Sequence, residues 1–150
     1  MKKITQNKVI IVSIALLLFM TTLLSACGPR EVLPQVWDNA TYTQDTTLGD
    51  GTKTVYVYVT AADKSIKLTV KTDAEKLSDA LLALGLVDGE QGDYGLYVKT
   101  VNGMLADYDI DASWWGFNKV LSDGTREMMM VGIDGATIAD GEAYELIYSK

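Results

Sequence analysis

Few side chains in this 150-residue chain could perform catalysis, because it has no histidine and a single cysteine, Cys27. Without an imidazole, Ser-His-Asp and Cys-His catalysis, His-dependent zinc sites and an imidazole ligand to cobalt are excluded. Carboxylates remain, but most of them lie in predicted turns, where solubility accounts for them. The sequence therefore predicts a protein that is not an enzyme and that has no catalytic cofactor.

One acidic segment has the spacing of a calcium loop, with Asp107, Asp109 and Asp111 at positions 1, 3 and 5. The EF-hand match fails, because Ala112 replaces the glycine at position 6 and Asn118 the glutamate at position 12. On a strand the three carboxylates would share one face and repel one another, which favours a loop or a cation. A weak Ca²⁺ site is therefore the alternative to three solvated acids.

Four residues of one predicted strand are the candidates for binding a ligand: Trp114, Trp115, Phe117 and Asn118. Neighbouring side chains on a strand point to opposite faces, so only one of the two tryptophans can be buried on a given face. The other is then exposed next to an acidic loop, and an exposed tryptophan in that setting is a binding candidate.

The N-terminal residues 1–26 have the pattern of an export signal. Three lysines precede an apolar run at residues 9–20, and the small residues Ser25 and Ala26 follow it. The run is too short to cross a bilayer comfortably. We therefore interpret residues 1–26 as a lipoprotein signal peptide.

Cys27 follows that signal directly, and Leu24-Ser25-Ala26-Cys27 resembles the lipobox of bacterial lipoproteins. In that interpretation Cys27 is the lipid attachment site, and the protein is anchored at the extracellular face of the cell membrane. The alternative is a plain secretory signal followed by an unpaired thiol.

The charge balance limits the partners of the protein. The chain has a net charge of −7, and removal of residues 1–26 takes away three lysines and no acids, which leaves −10. Nucleic acid is therefore not expected as a partner, because phosphate binding needs clusters of basic residues. An acidic domain is also repelled by anionic lipids, so the membrane contact is expected to run through the lipid anchor.

Residues 27–51 are predicted to be a tether and residues 52–150 the folded domain. Both prolines of the chain, Pro29 and Pro34, lie in the first segment, together with a Thr-rich run that has no sustained periodicity. Trp37 is unusual for a linker, and we expect it to dock onto the domain or to contact a partner.

The first half of the domain has the pattern of two strands and a helix. Residues 52–60 and 65–71 alternate between apolar and polar side chains, as an antiparallel hairpin would. Residues 72–84 follow with apolar side chains at helical spacing, a capping-box pattern at Thr72 and Glu75, and Gly85 just after the end. The apolar stripe of this helix is expected to cover the sheet.

The second half is predicted to consist of strands. Residues 94–101 alternate and end at Asn102-Gly103, which suits a two-residue hairpin turn. Later strands are expected at residues 113–120, 128–131 and 143–148. The consecutive methionines at 128–130 are interpreted as part of a strand with alternate methionines in the core, and an adaptable apolar contact surface is the alternative. The predicted fold class is α+β, with one helix packed on a mixed β-sheet in the order strand, strand, helix, strands.

Five segments together resemble the transcobalamin C-terminal-like domain, also called DUF4430, over roughly residues 52–149. These segments are residues 77–86, residues 94–103, Trp114-Trp115-Gly116-Phe117, Val131-Gly132-Ile133-Asp134 and residues 140–148. Trp115 corresponds to the tryptophan of the family, and Trp114 to the aromatic residue before it.

This resemblance implies a β-grasp-like fold and a module that binds a soluble ligand. The candidate ligand that the resemblance suggests is a corrinoid such as cobalamin. The function we predict is capture of a small ligand near the membrane, with transfer to a membrane transporter as a further hypothesis. The alternative is a cell-surface domain that binds protein or glycan, and a weak calcium-binding module is a third interpretation.

Overall fold

The computed structural model describes residues 36–150, and the predicted signal peptide and Cys27 lie outside this range. The elements are a 3₁₀ turn (Val36–Asn39), β1 (Thr46–Gly49), β2 (Lys53–Ala61), β3 (Lys64–Thr72), α1 (Leu77–Ala83), β4 (Val87–Gly92), β5 (Gly95–Val101), β6 (Met104–Leu105), α2 (Tyr108–Asp111), β7 (Trp114–Val120), β8 (Arg126–Met128) and β9 (Ala143–Ser149). Strands dominate and the helices are short. The predicted α+β class is therefore confirmed as a fold made mainly of β-sheet. No helix among residues 36–150 is long and apolar enough to span a membrane.

The strands form two sheets. A six-stranded mixed sheet has the order β1-β3-β2-β9-β7-β8, and a three-stranded antiparallel sheet has the order β4-β5-β6. Strands β2 and β3 form the predicted antiparallel hairpin, whereas the closing strand β9 inserts parallel to β2. The last strand of the chain therefore lies in the middle of the large sheet.

Alternation along the strands gives the large sheet two different faces. On the core face, residues such as Val57, Leu68 and Leu146 are almost completely buried. Helix α1, the small sheet and the loop before β9 all contribute apolar side chains to the same cluster. The opposite side, which carries Tyr58, Lys67 and Glu145, is called the open face below; its tyrosine side chains on β2 are only half-buried.

Helix α1 is shorter than the predicted residues 72–84, and the capping box at Thr72 and Glu75 is wrong. Thr72 still belongs to β3, where it pairs with Lys53, and Lys76 is the N-cap without a side-chain hydrogen bond. Carbonyl groups of the loop before β9 replace the cap: the Leu77 amide donates to Ala136 O and the Ser78 amide to Ile133 O, at 3.0 and 3.1 Å. A distant loop thus satisfies the helix N-terminus.

The end of α1 agrees with the sequence interpretation. Gly85 has φ +62°, its amide donates to Leu82 O, and the Leu86 amide donates to Leu81 O. This is the hydrogen-bond pattern of a Schellman motif, and Leu86 is buried beside the helix. Leu77 and Leu81 are fully buried, and each stabilises the helix against the sheet by about 1.5–3 kcal/mol.

The predicted hairpin turn at Asn102-Gly103 joins β5 to β6, with φ values of +53° and +80°. Its second function was not visible in the sequence. The Asn102 side chain accepts from the Tyr42 amide and donates to the Tyr42 carbonyl, both at 2.8 Å. The turn therefore holds the segment before β1 against the domain.

Part of the segment predicted as a tether belongs to the sheet. Strand β1 pairs in parallel with β3, and the Trp37 indole nitrogen donates to Ala61 O at 3.0 Å. Lys64 Nζ lies 4.4 Å from the centre of the Trp37 ring. Trp37 thus docks onto the domain, and folded structure begins well before Thr52.

The methionine segment differs from the prediction. Strand β8 is short and ends at Met128, and the side chains of Met128 and Met130 are 77% and 94% exposed. Because β8 is the edge of the large sheet, no neighbouring strand of the described chain covers these residues. The interpretation of Met128 and Met130 as core residues is therefore wrong.

Candidate functional site

Strand β7 divides the four predicted ligand-binding residues between its two faces. Trp115 pairs with Tyr148 and Phe117 with Leu146, on the core face. Trp114 and Asn118 lie on the open face. The sequence thus anticipated the opposite orientation of the two tryptophans, but the structure does not bring all four residues together.

The two residues on the core face pack against other aromatic rings. The Trp115 ring meets Tyr148 edge-on, with 5.4 Å between ring centres, and Phe117 stacks on Tyr144 at 5.7 Å. The Trp115 indole nitrogen is buried without a hydrogen-bond partner among residues 36–150. These contacts fix β7 against the core.

Trp114 is the exposed tryptophan of the pair. Its side chain is 43% exposed, and its ring centre lies 6.3 Å from that of Tyr108 in α2. Two aromatic rings therefore border one end of the open face, where they offer apolar surface to a ligand.

Asn118 belongs to a buried polar network centred on Glu145. Its Nδ2 donates to Glu145 Oε2 at 3.0 Å, and Thr60 Oγ1 donates to Glu145 Oε1 at 2.8 Å. Arg126 Nε lies 3.0 Å from the same Oε1. Glu145 is only 2% exposed although it lies on the open face. Donor groups of the protein contact both of its carboxylate oxygens.

Competing effects act on the Glu145 carboxyl. Burial favours its neutral form, but the hydrogen bonds from Asn118, Thr60 and Arg126 stabilise the charged form more strongly. The pKa of Glu145 therefore lies below its ordinary value. The carboxylate is charged at neutral pH and holds its neighbours in place.

The strand register places this network in a row across the sheet. Lys67 pairs with Tyr58, Tyr58 with Glu145, and Glu145 with Asn118. Paired side chains on one face lie about 5 Å apart. The polar row, defined as Lys67, Tyr58, Glu145 and Asn118, thus crosses four strands: the hairpin β2–β3 and the strands β9 and β7, which come much later in the chain.

The acidic segment 107–111 is a short helix rather than a strand. Asp107 caps it by accepting from the Asp109 amide at 3.0 Å. Asp111 accepts from Ser113 Oγ and pairs with Lys150 Nζ at 2.9 Å. The bonds from Ser113 and Lys150 lower the pKa of Asp111, so two of the three carboxylates have protein partners.

No group of three or more histidine, cysteine, aspartate or glutamate side chains converges on a common point within residues 36–150. The acidic segment is no exception, because Asp107 and Asp111 of this segment bond to different partners and do not face a common point.

Sequence reasoning missed Arg126, Thr60 and Glu145 as site residues. The alternation in β9 does assign Glu145 and Ile147 to one face, and a glutamate within an apolar strand is a detectable signal. Its partners could not be identified in the same way, because they lie on β2, β7 and β8, and local patterns do not give strand order.

A solved structure shows clear similarity in both sequence and fold. It is the crystal structure, at 1.30 Å, of a protein from Ruminococcus gnavus that is provisionally described as a metal binding protein. The two sequences are 34% identical, the TM-score is 0.58, and the match covers 66% of this chain and 98% of that one.

A second structure, haptocorrin in complex with Cbi, is more distant. It is 19% identical with a TM-score of 0.49, and the match covers 69% of this chain. This chain corresponds to only 26% of haptocorrin, and at this similarity the comparison carries no argument. No profile of a protein family and no curated protein matches the chain, so membership of DUF4430 stays a prediction.

Proposed function

This chain belongs to the family of the Ruminococcus gnavus protein, and on that premise we propose that it is a non-enzymatic domain that binds a small soluble ligand. The binding surface is the open face of the large sheet. Trp114 and Asn118 contribute directly to it. Trp115 and Phe117 act from the core face, where their packing fixes the strand.

The buried carboxylate of Glu145 is the observation that supports this proposal most. A charged group is rarely kept nearly inaccessible on the outer side of a sheet unless it is fully paired. Here it holds Asn118 and Arg126 in fixed positions at the surface. A surface with preset polar groups loses less conformational entropy when a ligand binds.

A corrinoid such as cobalamin is the ligand we propose for this surface, because of the sequence resemblance to the transcobalamin C-terminal-like domain. The topology supports the β-grasp-like fold that the same resemblance implies. The hairpin β2–β3, the helix α1 and the parallel insertion of β9 beside β2 are the arrangement we propose to be β-grasp-like. Transfer of the ligand to a membrane transporter would follow capture.

Titration of cobalamin into the full chain, purified in detergent, tests the ligand proposal. We expect quenching of tryptophan fluorescence that Trp114→Phe removes and Trp37→Phe leaves in place, because Trp37 docks elsewhere. Trp114→Ala should weaken binding about tenfold, as truncation of a contact aromatic commonly does. Unchanged absorbance and fluorescence at high micromolar cobalamin would exclude a corrinoid ligand.

We also propose that the domain is anchored at the extracellular face of the cell membrane through a lipid on Cys27. The sequence motif supports this proposal, and Cys27 lies outside the described residues. We expect mass spectrometry of the protein from cells to find an acylated N-terminal cysteine, and Cys27→Ala to prevent acylation. An N-terminus without acyl chains in the unmodified sequence would contradict the anchor.

A surface for binding another protein or a glycan is the alternative function. Exposed apolar side chains at Met128, Met130 and Val131 favour it, because such side chains at a sheet edge suit a protein contact. Loss of cell-surface binding in Met130→Ser, with cobalamin binding absent in the original sequence, would favour this alternative.

A metal site does not fit the predicted acidic segment, although the Ruminococcus gnavus protein is described as metal binding. Asp107 is engaged by the Asp109 amide, and Asp111 by Ser113 and Lys150. A Ca²⁺ ion would need six to eight oxygen ligands around one point. We therefore assign no function to a metal at Asp107, Asp109 and Asp111.

A further inference from the structure

We propose that a shallow depression in the open face binds one oxyanionic group, such as a carboxylate or a phosphate, of a small ligand. This inference rests on the proposed ligand-binding role of the open face and specifies the chemistry that this face recognises. The depression has a volume of about 370 Å³ and is lined by Asp45, Tyr58, Ser65, Ile66, Lys67 and Arg126.

Arg126 is held in place from several directions. Its Nε pairs with Glu145 at 3.0 Å, its Nη1 donates to Gly124 O at 3.2 Å, and the guanidinium lies 5.9 Å from the centre of the Tyr58 ring. Nη2 has no hydrogen-bond partner among residues 36–150. A planar guanidinium fixed in this way is a preorganised donor for a carboxylate or phosphate.

Lys67 supplies the second cation. Its Nζ lies 5.7 Å from the centre of the Tyr56 ring and forms no ion pair with a carboxylate in the described part of the chain. Both cations therefore rest against tyrosine rings, while donor hydrogens of each are still available to a ligand.

The two nearby carboxylates are already engaged by protein donors. Asp45 Oδ1 accepts from the Lys67 amide at 2.8 Å, and both oxygens of Glu145 accept from the polar network. Asp45 still contributes negative charge to the rim, on a chain of net charge −7. This balance favours a ligand with a single anionic group over a polyanion.

An NMR titration of the ¹⁵N-labelled full chain in detergent tests the inference, with acetate or inorganic phosphate exchanged for chloride at constant ionic strength. We expect saturable shifts at the amides of Ser65 and Lys67. Lys67→Gln should weaken binding about fivefold, the effect of one partly exposed ion pair. Lys71→Gln is the matched control, because Lys71 lies on the same strand and face but outside the depression.

Equal weakening by Lys67→Gln and Lys71→Gln would overturn the inference, because only the general charge of the protein would then matter. Shifts that do not saturate, or that occur away from Ser65 and Lys67, would overturn it as well. A response to acetate alone or phosphate alone identifies the preferred oxyanion and supports the site. Oxyanion binding without cobalamin binding would remove the corrinoid ligand and keep this site, so the two failures are distinguishable.

Discussion

Asn102→Ala is expected to lower the free energy of unfolding by about 3–5 kcal/mol. The Asn102 side chain is fully buried, and it pairs with both the amide and the carbonyl of Tyr42. Alanine leaves these two backbone groups without partners, and because Tyr42 is only half-buried each costs about 1–1.5 kcal/mol, the lower part of the usual range. The left-handed φ of +53° adds about 1–2 kcal/mol for alanine.

Two further variants separate these contributions in urea denaturation. Asn102→Gly removes the side-chain bonds but accepts the positive φ, so it should cost less than Asn102→Ala by about 1 kcal/mol. Asn39→Ala changes an exposed asparagine just before the same segment and should stay within about 0.5 kcal/mol of the original protein. A loss below about 1 kcal/mol for Asn102→Ala would show that the two hydrogen bonds between Asn102 and Tyr42 contribute little.

Glu145→Gln is expected to lower the free energy of unfolding at pH 7 by about 1.5–3 kcal/mol, because bonds to a charged group are lost. Glutamine keeps the shape of the side chain but removes the charge that pairs with Arg126. Its amide nitrogen would also meet the Asn118 amide that now donates to Glu145. The polar row would therefore lose its central acceptor.

The direction of the Glu145 pKa shift predicts how the effect of Glu145→Gln on stability changes with pH. The pKa of Glu145 in the folded state lies below its ordinary value. Charged Glu145 therefore stabilises the fold fully at pH values above the pKa that Glu145 has in the unfolded chain. This contribution disappears as the pH falls through the lower, folded-state pKa. The stability difference between the original protein and Glu145→Gln should therefore be largest near pH 7 and should shrink in acid.

Urea denaturation at a series of pH values measures this difference. Glu127→Gln is the matched control, because Glu127 lies exposed on the edge strand β8 and has no ion pair within residues 36–150. It should change stability by less than about 0.5 kcal/mol at any pH. A Glu145→Gln difference that stays constant from neutral to acidic pH would contradict a charged, network-bound Glu145.

Local patterns in the sequence determined much of the secondary structure. The alternation in β2, β3 and β9, the Schellman ending at Gly85 and the turn at Asn102-Gly103 each depend on neighbouring residues alone, and the structure shows all of them. The opposite orientation of Trp114 and Trp115 has the same origin, because strand geometry dictates it. The α+β class followed from the order of these elements.

The tertiary structure decided everything that depends on which strands are neighbours. The start of α1 moved to Leu77 because carbonyls of a distant loop satisfy its amides, and Met130 is exposed because β8 lies at the edge of the sheet. The insertion of β9 between β2 and β7 brings Glu145 within reach of Thr60, Asn118 and Arg126. Sequence periodicity assigns a side chain to a face, but only the strand order determines which side chains it meets there.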